Sequence, residues 1–197
     1  MSIDPKTIAV YDARADDYTA MVSDTGKDTA LSAFIAALPD GAHVLDLGCG
    51  PGNAAAIMAR AGHVVTATDA SSEMVRLAGA HPGVTAHVAT FDDIAGDALY
   101  DGIWANFSLL HAPRADMPRH LAALAHALKP DGRFHIGLKT GTGARRDSIG
   151  RLYTYYTEDE IYALLRAAGL TPISSRTGAD AGLDGTTAHW ITIAAHG

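Results

Sequence analysis

Residues 43–53 of this 197-residue chain read His-Val-Leu-Asp-Leu-Gly-Cys-Gly-Pro-Gly-Asn. The pattern predicts a buried strand that runs directly into a glycine-rich turn and a helix, an arrangement that presents backbone N–H groups to a nucleotide-like ligand. Gly48, Gly50 and Gly52 let the main chain approach a ligand that any Cβ atom would keep away. The turn therefore predicts a cofactor site.

The charge beside this turn favours one cofactor over two others. Asp46 lies two residues before the first glycine and should repel the pyrophosphate of NAD while attracting a cation. Asn53 stands where a dinucleotide-binding turn has its third glycine, and no Gly-Lys-Ser/Thr follows as in a phosphate-binding P-loop. S-adenosylmethionine carries an ammonium and a sulfonium and no phosphate, so it is the predicted cofactor, with S-adenosylhomocysteine as its product.

A second acid supports this prediction. Residues 64–69 form an apolar strand that ends in Asp69, where a carboxylate can accept both ribose hydroxyls, although Asp69 could equally cap the helix that follows. Residues 44–52 resemble the first motif of class I S-adenosylmethionine-dependent methyltransferases. The cofactor contacts expected from this pair of segments are Asp46, Gly48, Cys49, Gly50, Gly52, Asn53, Asp69 and Ala70.

Strands and helices alternate from residue 43 onward, which predicts an α/β fold with a Rossmann-like doubly wound sheet. The last two strands have no helix between them and predict a terminal hairpin that forms an antiparallel edge. This tail matches the seven-stranded, mostly parallel class I sheet with an antiparallel last strand and helices on both faces. The expected strands are 43–47, 64–69, 84–90, 100–107, 133–139, 171–177 and 189–195.

Composition limits the classes of partner. A formal charge of −7 disfavours broad nucleic-acid binding, which needs a basic surface. Cys49 is the only cysteine, so no intramolecular disulfide can form, and no histidine pair or cysteine cluster has metal-ligand spacing. No signal peptide or membrane-spanning run is evident, so we expect a cytoplasmic protein without a metal, as a monomer or homodimer.

The length fits a single domain over residues 1–197. Residues 1–40 are expected to form a helical lid, in which Asp4 and Pro5 begin a helix that continues to Val22. Residues 41–140 are the expected cofactor-binding core. Residues 141–197 are expected to supply a substrate loop, a last helix and the terminal hairpin.

The predicted lid contains Tyr11 and Tyr18, spaced as in the Tyr-Asp-x-x-Ala-x-x-Tyr signature found before the first strand in many small class I methyltransferases. That resemblance implies that both rings close over the methionine end of the cofactor and face the reaction. The alternative is that both tyrosines only pack the helix on the sheet. Arg14 could reach a carboxylate of the cofactor or substrate, or could be a solvated surface charge.

The ends of the third and fourth strands supply further candidates. In the family, an acid after the third strand commonly meets the adenine amino group, which favours Asp92 with Phe91 against the ring, although Thr90 could occupy the acid's position. The resemblance also places Asn106, followed by Phe107, near the amino group and sulfur of the cofactor. His111 follows in the loop and is a candidate general base, or a structural hydrogen-bonding residue.

The segment after the fifth strand concentrates cations and tyrosines in an otherwise acidic chain. It predicts a site for an anionic acceptor, or a solvated loop whose arginines pair with surface acids. Its arrangement is also similar to that of methyltransferases that act on wobble-uridine carboxylates of tRNA. The candidate substrate residues are Arg14, Lys139, Arg145, Arg146, Arg151, Tyr153 and Tyr156.

Methyl transfer from a sulfonium requires an aligned nucleophile, exclusion of water and, for some acceptors, removal of a proton. The sequence thus predicts methylation of an oxygen or nitrogen of a small, anionic acceptor, with His111 dispensable if that acceptor is a carboxylate. The alternatives are methylation of a tRNA wobble-base carboxylate, an NAD-dependent oxidoreductase and a cofactor-binding module without catalysis.

Overall fold

The computed structural model describes residues 4–22 and 28–197, so residues 1–3 and 23–27 of the predicted lid lie outside the described residues. Seven strands form one sheet in the order β3-β2-β1-β4-β5-β9-β8, and β6 and β7 form a separate hairpin. The strands are β1 (His43–Leu47), β2 (Val64–Asp69), β3 (Val84–Val88), β4 (Tyr100–Asn106), β5 (Leu128–Lys139), β6 (Ala144–Arg146), β7 (Leu152–Thr154), β8 (Thr171–Ala181) and β9 (Thr187–His196). The helices are α1 (Pro5–Ala13), α2 (Ala15–Met21), α3 (Thr29–Ala36), α4 (Asn53–Arg60), α5 (Ser72–Ala78), α6 (Met117–Ala127) and α7 (Glu158–Ala167).

Strand β1 lies in the interior of the sheet, and its side chains are buried on both faces. It pairs in parallel with β2 on one side and with β4 on the other. The chain therefore leaves β1 in one direction and later returns on its opposite side, which opens a crevice at the carboxyl ends of these strands. The predicted Rossmann-like sheet is confirmed, and its crevice lies where the glycine turn begins.

The two sides of the sheet have separate apolar cores. Alternation along β4 divides its residues between them, since Ile103 packs on the side of α6 and α7 while Trp104 packs on the side of α3 and α4. The Trp104 ring lies against that of Phe34, with ring centroids 5.2 Å apart. Both cores leave the carboxyl edge of the sheet open for the N-terminal helices.

The N-terminal segment starts as predicted and then breaks. Asp4 caps α1 by accepting a hydrogen bond from the Thr7 N–H at 3.1 Å, and Pro5 follows it. The single helix expected to continue through Val22 is interrupted at Arg14, whose φ and ψ of −122° and 27° are not helical. A new helix, α2, begins at Ala15, and the break brings the rings of Tyr11 and Tyr18 into an edge-to-face contact at 5.3 Å.

The terminal hairpin forms at the edge of the sheet, as predicted. Strand β9 lies between β5 and β8 and is antiparallel to both, so β8 is the outer strand of the sheet. The chain passes from β5 through α7 to β8, and β8 does not pair with β5. The returning chain, as β9, fills the position between β5 and β8. The antiparallel last strand and the antiparallel edge formed by the terminal hairpin are both confirmed.

Two predicted strands end early for local reasons. Strand β3 stops at Val88 because Thr90 caps a short 3-10 turn through reciprocal contacts with Asp93. Strand β4 stops at Asn106 because Phe107 adopts a φ of +55°. Within residues 4–22 and 28–197, no helix is long and apolar enough to cross a membrane.

Candidate functional site

A cavity lies between α1 and α2 on one side and the carboxyl ends of β1, β2 and β4 on the other. It encloses about 790 Å³ of empty space, part of which is open to solvent. Its described lining consists of Asp4, Thr7, Ile8, Tyr11, Tyr18, Leu47, Gly48, Gly50, Thr68, Asp69, Ala70, Ser71, Met74, Ala89, Thr90, Phe91, Asn106, Phe107, Ser108 and His111. Ten of the predicted site residues are therefore brought together in one place.

The glycine turn forms the floor of this cavity. Gly48 has a φ of +68°, and a Cβ atom there would lie 2.3 Å from the Ser108 Cβ. Gly50 has a φ of +54°, and its Cβ would lie 3.2 Å from the ring of Tyr18. Both positions need the left-handed backbone and the space that glycine alone provides.

Five predicted cofactor contacts are outside the cavity lining, and three of them, Cys49, Gly52 and Asn53, belong to the glycine turn or directly follow it. Cys49 is buried, and burial raises the pKa of its thiol, which suits a packing role. A Cβ on Gly52 would lie 2.7 Å from the Cα of Ala78, so this glycine permits close packing of the turn on α5. Asn53 donates from Nδ2 to the Val22 carbonyl at 2.8 Å and thereby ties the turn to the end of α2.

Asp69 is held at the cavity by backbone donors, among them the N–H groups of Gly50, Ser71 and Ala70. Its Oδ2 accepts from the Gly50 N–H and its Oδ1 from the Ser71 N–H, both at 2.9 Å. Burial is the largest influence on Asp69 and raises its pKa. The alternative role as helix cap falls to Ser71, whose hydroxyl accepts from the Met74 N–H. Because each carboxylate oxygen has a second lone pair, Asp69 can still accept ligand hydroxyls.

Asp46 lies beneath the turn, 2% exposed and outside the lining. The Ala55 N–H donates to its carboxylate, and its Oδ2 has no hydrogen-bond partner among the described residues. Burial, reinforced by the charge of Asp69, raises the pKa of Asp46 to about 7. A cationic ligand beside this pair of carboxylates would favour their ionised forms.

Two hydroxyls in the cavity wall are also available to a ligand. Thr68 Oγ1 and Ser108 Oγ are buried, line the cavity and lack hydrogen-bond partners within the described ranges. Buried polar groups are ordinarily satisfied. These hydroxyls, the buried carboxylates and the glycine turn together fit a polar, cationic cofactor such as S-adenosylmethionine.

The segment after β3 separates two residues that were expected to act together. Phe91 lines the cavity, and so does Thr90, the alternative position for the adenine contact. Asp92 is not part of the lining, and its carboxylate pairs with Arg119 at 2.7 Å. The 3-10 turn explains the difference, because it directs Phe91 inward and places Asp92 on the outer surface.

Asn106 lines the cavity with a side chain that a neighbouring strand holds in place. His135 Nε2 lies 3.0 Å from Asn106 Oδ1, and the His135 ring stacks on Trp104 at 3.6 Å. Burial lowers the pKa of His135 to about 3, so the ring is neutral. Gly137 leaves room for this arrangement, since a Cβ there would lie 2.5 Å from Asn106 Oδ1.

In the wall of the same cavity, Tyr11 and His111 form a hydrogen-bonded pair. Tyr11 Oη is 2.9 Å from His111 Nε2, and His111 Nδ1 is 2.6 Å from the Leu152 carbonyl oxygen. Because a carbonyl only accepts, Nδ1 carries the proton and Nε2 accepts from the Tyr11 hydroxyl. Burial lowers the pKa of His111 to about 4, so the imidazole is neutral near pH 7.

Three contacts place α1 over the cavity. Asp4 forms an ion pair with Arg146 at 2.7 Å, and the Thr7 hydroxyl accepts from the Leu152 N–H at 2.8 Å. Farther along α1, Asp12 accepts from the Ser71 hydroxyl. The helix is thus fastened to the β6–β7 hairpin at one end and to the cap of α5 at the other.

The predicted substrate cations bind protein groups and do not line the cavity. Lys139 Nζ lies 3.7 Å from the centroid of the Tyr153 ring, and the Arg145 guanidinium lies 3.9 Å from that of Tyr155. The remaining arginines form ion pairs, namely Arg14 with Asp17, Arg146 with Asp4 and Arg151 with Asp147. Tyr153 and Tyr156 are buried outside the lining. None of these cations belongs to the described lining, and the anionic acceptor stays a prediction.

Several lining residues were not predicted. Asp4, Thr7 and Ile8 share one face of α1 with Tyr11 through three- and four-residue spacing, so the helical pattern contained a signal for them. Ser108, Met74 and Ala89 enter only through tertiary packing. Within the described ranges, no group of three His, Cys, Asp or Glu residues could hold a metal ion.

The comparisons agree with a cofactor-dependent transferase. A family model for a methyltransferase domain matches residues 44–132. The chain is 33% identical over 154 residues to the ubiquinone biosynthesis O-methyltransferase of Xanthomonas axonopodis pv. citri, covering 67% of this chain and 64% of the relative. It is 36% identical over 103 residues to the ubiquinone/menaquinone biosynthesis C-methyltransferase UbiE of Rubrivivax gelatinosus. This match covers 51% of this chain and 40% of the relative.

A solved structure matches over a longer span. The Burkholderia thailandensis 1,6-didemethyltoxoflavin-N1-methyltransferase, with bound 1,6-didemethyltoxoflavin and S-adenosylhomocysteine, covers 100% of this chain. The match covers 91% of that chain, with a TM-score of 0.71 and 28% identity. Fold, glycine turn and cavity thus define a Rossmann-like nucleotide-cofactor protein. More specifically, the chain belongs to the class I S-adenosylmethionine-dependent methyltransferases.

Proposed function

We propose that this protein transfers a methyl group from S-adenosylmethionine to an oxygen or nitrogen of a small acceptor, which loses a proton to the Tyr11–His111 pair. One observation carries the proposal. A single cavity is lined both by the glycine turn and Asp69 and by a neutral histidine that is hydrogen-bonded to a tyrosine. Such a cavity holds a cofactor and a proton acceptor in one enclosed space.

At the cofactor end, the residues proposed to hold S-adenosylmethionine are those of the cavity wall. Asp69 would accept the ribose hydroxyls, Phe91 would pack on the adenine ring, and Asn106 would contact the methionine end. When bound, the cofactor supplies a methyl group on a sulfonium that a nucleophile can displace. Asp46 would stabilise the positive charge from beneath the turn.

At the acceptor end, His111 would act as the general base. Its Nε2 lone pair points at Tyr11 Oη, and its neutral state near pH 7 leaves that lone pair available. Tyr11 lines the cavity and would pass a proton from the acceptor to His111. Tyr11 and Tyr18 would also exclude water, because both rings line the cavity and contact each other edge to face. Burial raises the pKa of both phenols, which stay uncharged.

The acceptor is proposed to carry a proton on its nucleophilic atom, as a phenolic hydroxyl or a ring N–H does. A carboxylate acceptor has no proton to lose and would not need a general base. The names of the relatives do not decide the atom, since they describe an O-methyltransferase, a C-methyltransferase and an N-methyltransferase. The relatives in the sequence comparison are also longer, as the chain spans 64% and 40% of their lengths.

The experiment has two parts. Calorimetric titration with S-adenosylmethionine, S-adenosylhomocysteine and NAD should show binding of the first two and none of NAD. Formation of S-adenosylhomocysteine is then measured with matched phenols, N-heterocycles and carboxylic acids. Turnover with a phenol or N–H acceptor, and its loss in His111→Gln, supports the proposal. Turnover with carboxylic acids alone, unaffected by His111→Gln, would overturn it.

The proposal treats residues 1–197 as one domain, with 1–40 as the lid, 41–140 as the cofactor core and 141–197 as the remaining wall. It places the protein in the cytoplasm as a monomer or a homodimer. Light scattering on the purified protein distinguishes a monomer from a homodimer.

A further inference from the structure

We propose that Arg151 is a positioning residue for the reaction, which orients the Tyr11 hydroxyl so that its proton points to His111. This inference rests on the proposed function, because it assigns a task to a residue beside the same cavity. It also changes the expected role of Arg151, from binding the substrate to aligning the proton path.

The Arg151 side chain is held in place by contacts that do not involve Tyr11. Its side chain is 2% exposed, and its Nε donates to Asp147 Oδ2 at 2.8 Å. Asp147 is itself held, since its Oδ1 accepts from the backbone N–H groups of Ile149 at 3.2 Å and Arg151 at 2.8 Å. The turn between β6 and β7 therefore presents the guanidinium in one orientation.

From this position, Arg151 Nη1 donates to Tyr11 Oη at 3.1 Å. A guanidinium has no acceptor, so Tyr11 must be the acceptor in this bond. The single phenolic proton is then left for His111 Nε2, whose partner nitrogen already donates to the Leu152 carbonyl. The hydrogen bonds therefore run in series from the Arg151 guanidinium to the Tyr11 hydroxyl and on to the His111 imidazole. Arg151 holds the first end of this series, and the Leu152 carbonyl holds the last.

This orientation gives the proton of the acceptor a defined path. Tyr11 Oη also shares a hydrogen bond with Tyr153, so an acceptor hydroxyl or N–H in the cavity would replace Tyr153 as the second donor to Tyr11 Oη. As the acceptor atom bonds to the methyl carbon and the carbon–sulfur bond breaks, the acceptor proton moves to Tyr11 Oη and the Tyr11 proton moves to His111 Nε2. The sulfur keeps the electron pair of the broken bond, and His111 ends as an imidazolium.

Arg151 also influences the charge of His111. Its cation, like that of Lys139, opposes protonation of the imidazole, while Asp147 favours it. Removal of the Arg151 cation should therefore raise the pKa of His111. The titratable and charged groups that face His111 are Tyr11 from α1, Lys139 from β5, and Asp147, Arg151 and Tyr153 from the β6–β7 hairpin.

The test compares Arg151→Met, Arg151→Lys, Tyr11→Phe and the Arg151→Met/Tyr11→Phe double variant. Arg166→Met is the matched control, because Arg166 also lies over a tyrosine ring, Tyr162, but on α7 away from the cavity. We expect Arg151→Met to lower kcat about tenfold or more, within the range of general-base effects, with KM for the acceptor nearly unchanged. The acid limb of the kcat/KM profile should move to higher pH.

Arg151→Lys separates charge from geometry. It should keep the acid limb near its original pH, because a cation remains, but should not restore kcat, because an ammonium lacks the fixed fork of the guanidinium. In the double variant, loss of Arg151 should add less than twofold to the effect of Tyr11→Phe. Independent, multiplicative effects, or an effect on acceptor KM alone, would overturn the proposal.

A readout without turnover distinguishes this proposal from the proposed function. NMR of imidazole nitrogens should find His111 protonated at Nδ1 in the wild-type protein, with a pKa that rises in Arg151→Met. If that result is obtained and no acceptor is methylated, the proposed function fails while the positioning contact stands. An unchanged His111 pKa and tautomer in Arg151→Met, with normal thermal unfolding, would refute the positioning role.

Discussion

The two ends of the cavity are built in different ways. The cofactor end consists of strand termini and one glycine turn, and the contact between Gly50 and Asp69 joins residues 19 positions apart. At the acceptor end, Tyr11 meets His111 across 100 positions and Arg151 across 140. The first end is thus a local product of β1, the turn and β2, whereas the second exists only when α1 and the β6–β7 hairpin meet.

The stability contributed by the two ends should also depend on pH in opposite ways. The largest predicted effect comes from Asp46. The folded pKa of Asp46, about 7, exceeds the unfolded value of 3.8, so the folded state binds more protons between these values. Stability should therefore fall as pH rises from about 4 to 7, by up to about 4 kcal/mol. Asp46→Asn should remove this dependence and be more stable than the wild type at pH 8.

Chemical unfolding of both proteins from pH 4 to 8, without cofactor, measures this difference. Asp97→Asn is the control, because Asp97 is exposed and lies away from the cavity. Equal stability of the wild type and Asp46→Asn across the range would show that Asp46 ionises without cost.

His111 should produce the opposite slope. Its folded pKa of about 4 lies below the unfolded value of 6.5, so the unfolded state binds more protons between these values. Stability should fall as pH drops from about 6.5 to 4, by about 3 kcal/mol. His111→Gln should flatten this limb in the same unfolding experiment, with exposed His126 changed to Gln as the control. An unaltered acid limb would contradict burial of a neutral imidazole.

An effect of similar size tests the packing of the glycine turn. Gly48→Ala combines a left-handed backbone with a Cβ placed 2.3 Å from Ser108, and should cost about 3 kcal/mol in the free energy of unfolding. Gly185→Ala is the control, since Gly185 has a similar φ of +78° and no atom within 4 Å of its Cβ position. Similar losses in the two variants would mean that backbone strain, without the contact, accounts for the effect.

The smallest effect concerns cofactor affinity alone. Asp69→Ala should weaken binding of S-adenosylmethionine by about 2 kcal/mol, because ligand hydroxyls lose their acceptor. Calorimetric titration of this variant and of Asp97→Ala measures the change. An affinity equal to that of the wild type would remove Asp69 from the ribose site.

The predictions that succeeded rest on short stretches of sequence. Strands β1 and β2 begin and end where expected, because each is a short segment rich in apolar or β-branched residues and is followed by turn residues. The break at Arg14 was missed, since the residues on both sides follow the same helical pattern and only packing of Tyr18 on Tyr11 and the glycine turn requires a bend. Asp92 shows the same limit, because a single turn decides whether it or Phe91 faces the cavity.

The sequence by itself determined the class of fold and the cofactor end of the cavity, because periodicity, glycine positions and nearby acids act through neighbours along the chain. Tertiary structure decided the acceptor end. An arginine or a tyrosine has a long side chain with several alternative partners, and only the approach of α1 to the β6–β7 hairpin selected Asp147 and Tyr11 for Arg151. For that reason the cations that predicted an anionic acceptor became part of the protein's own packing.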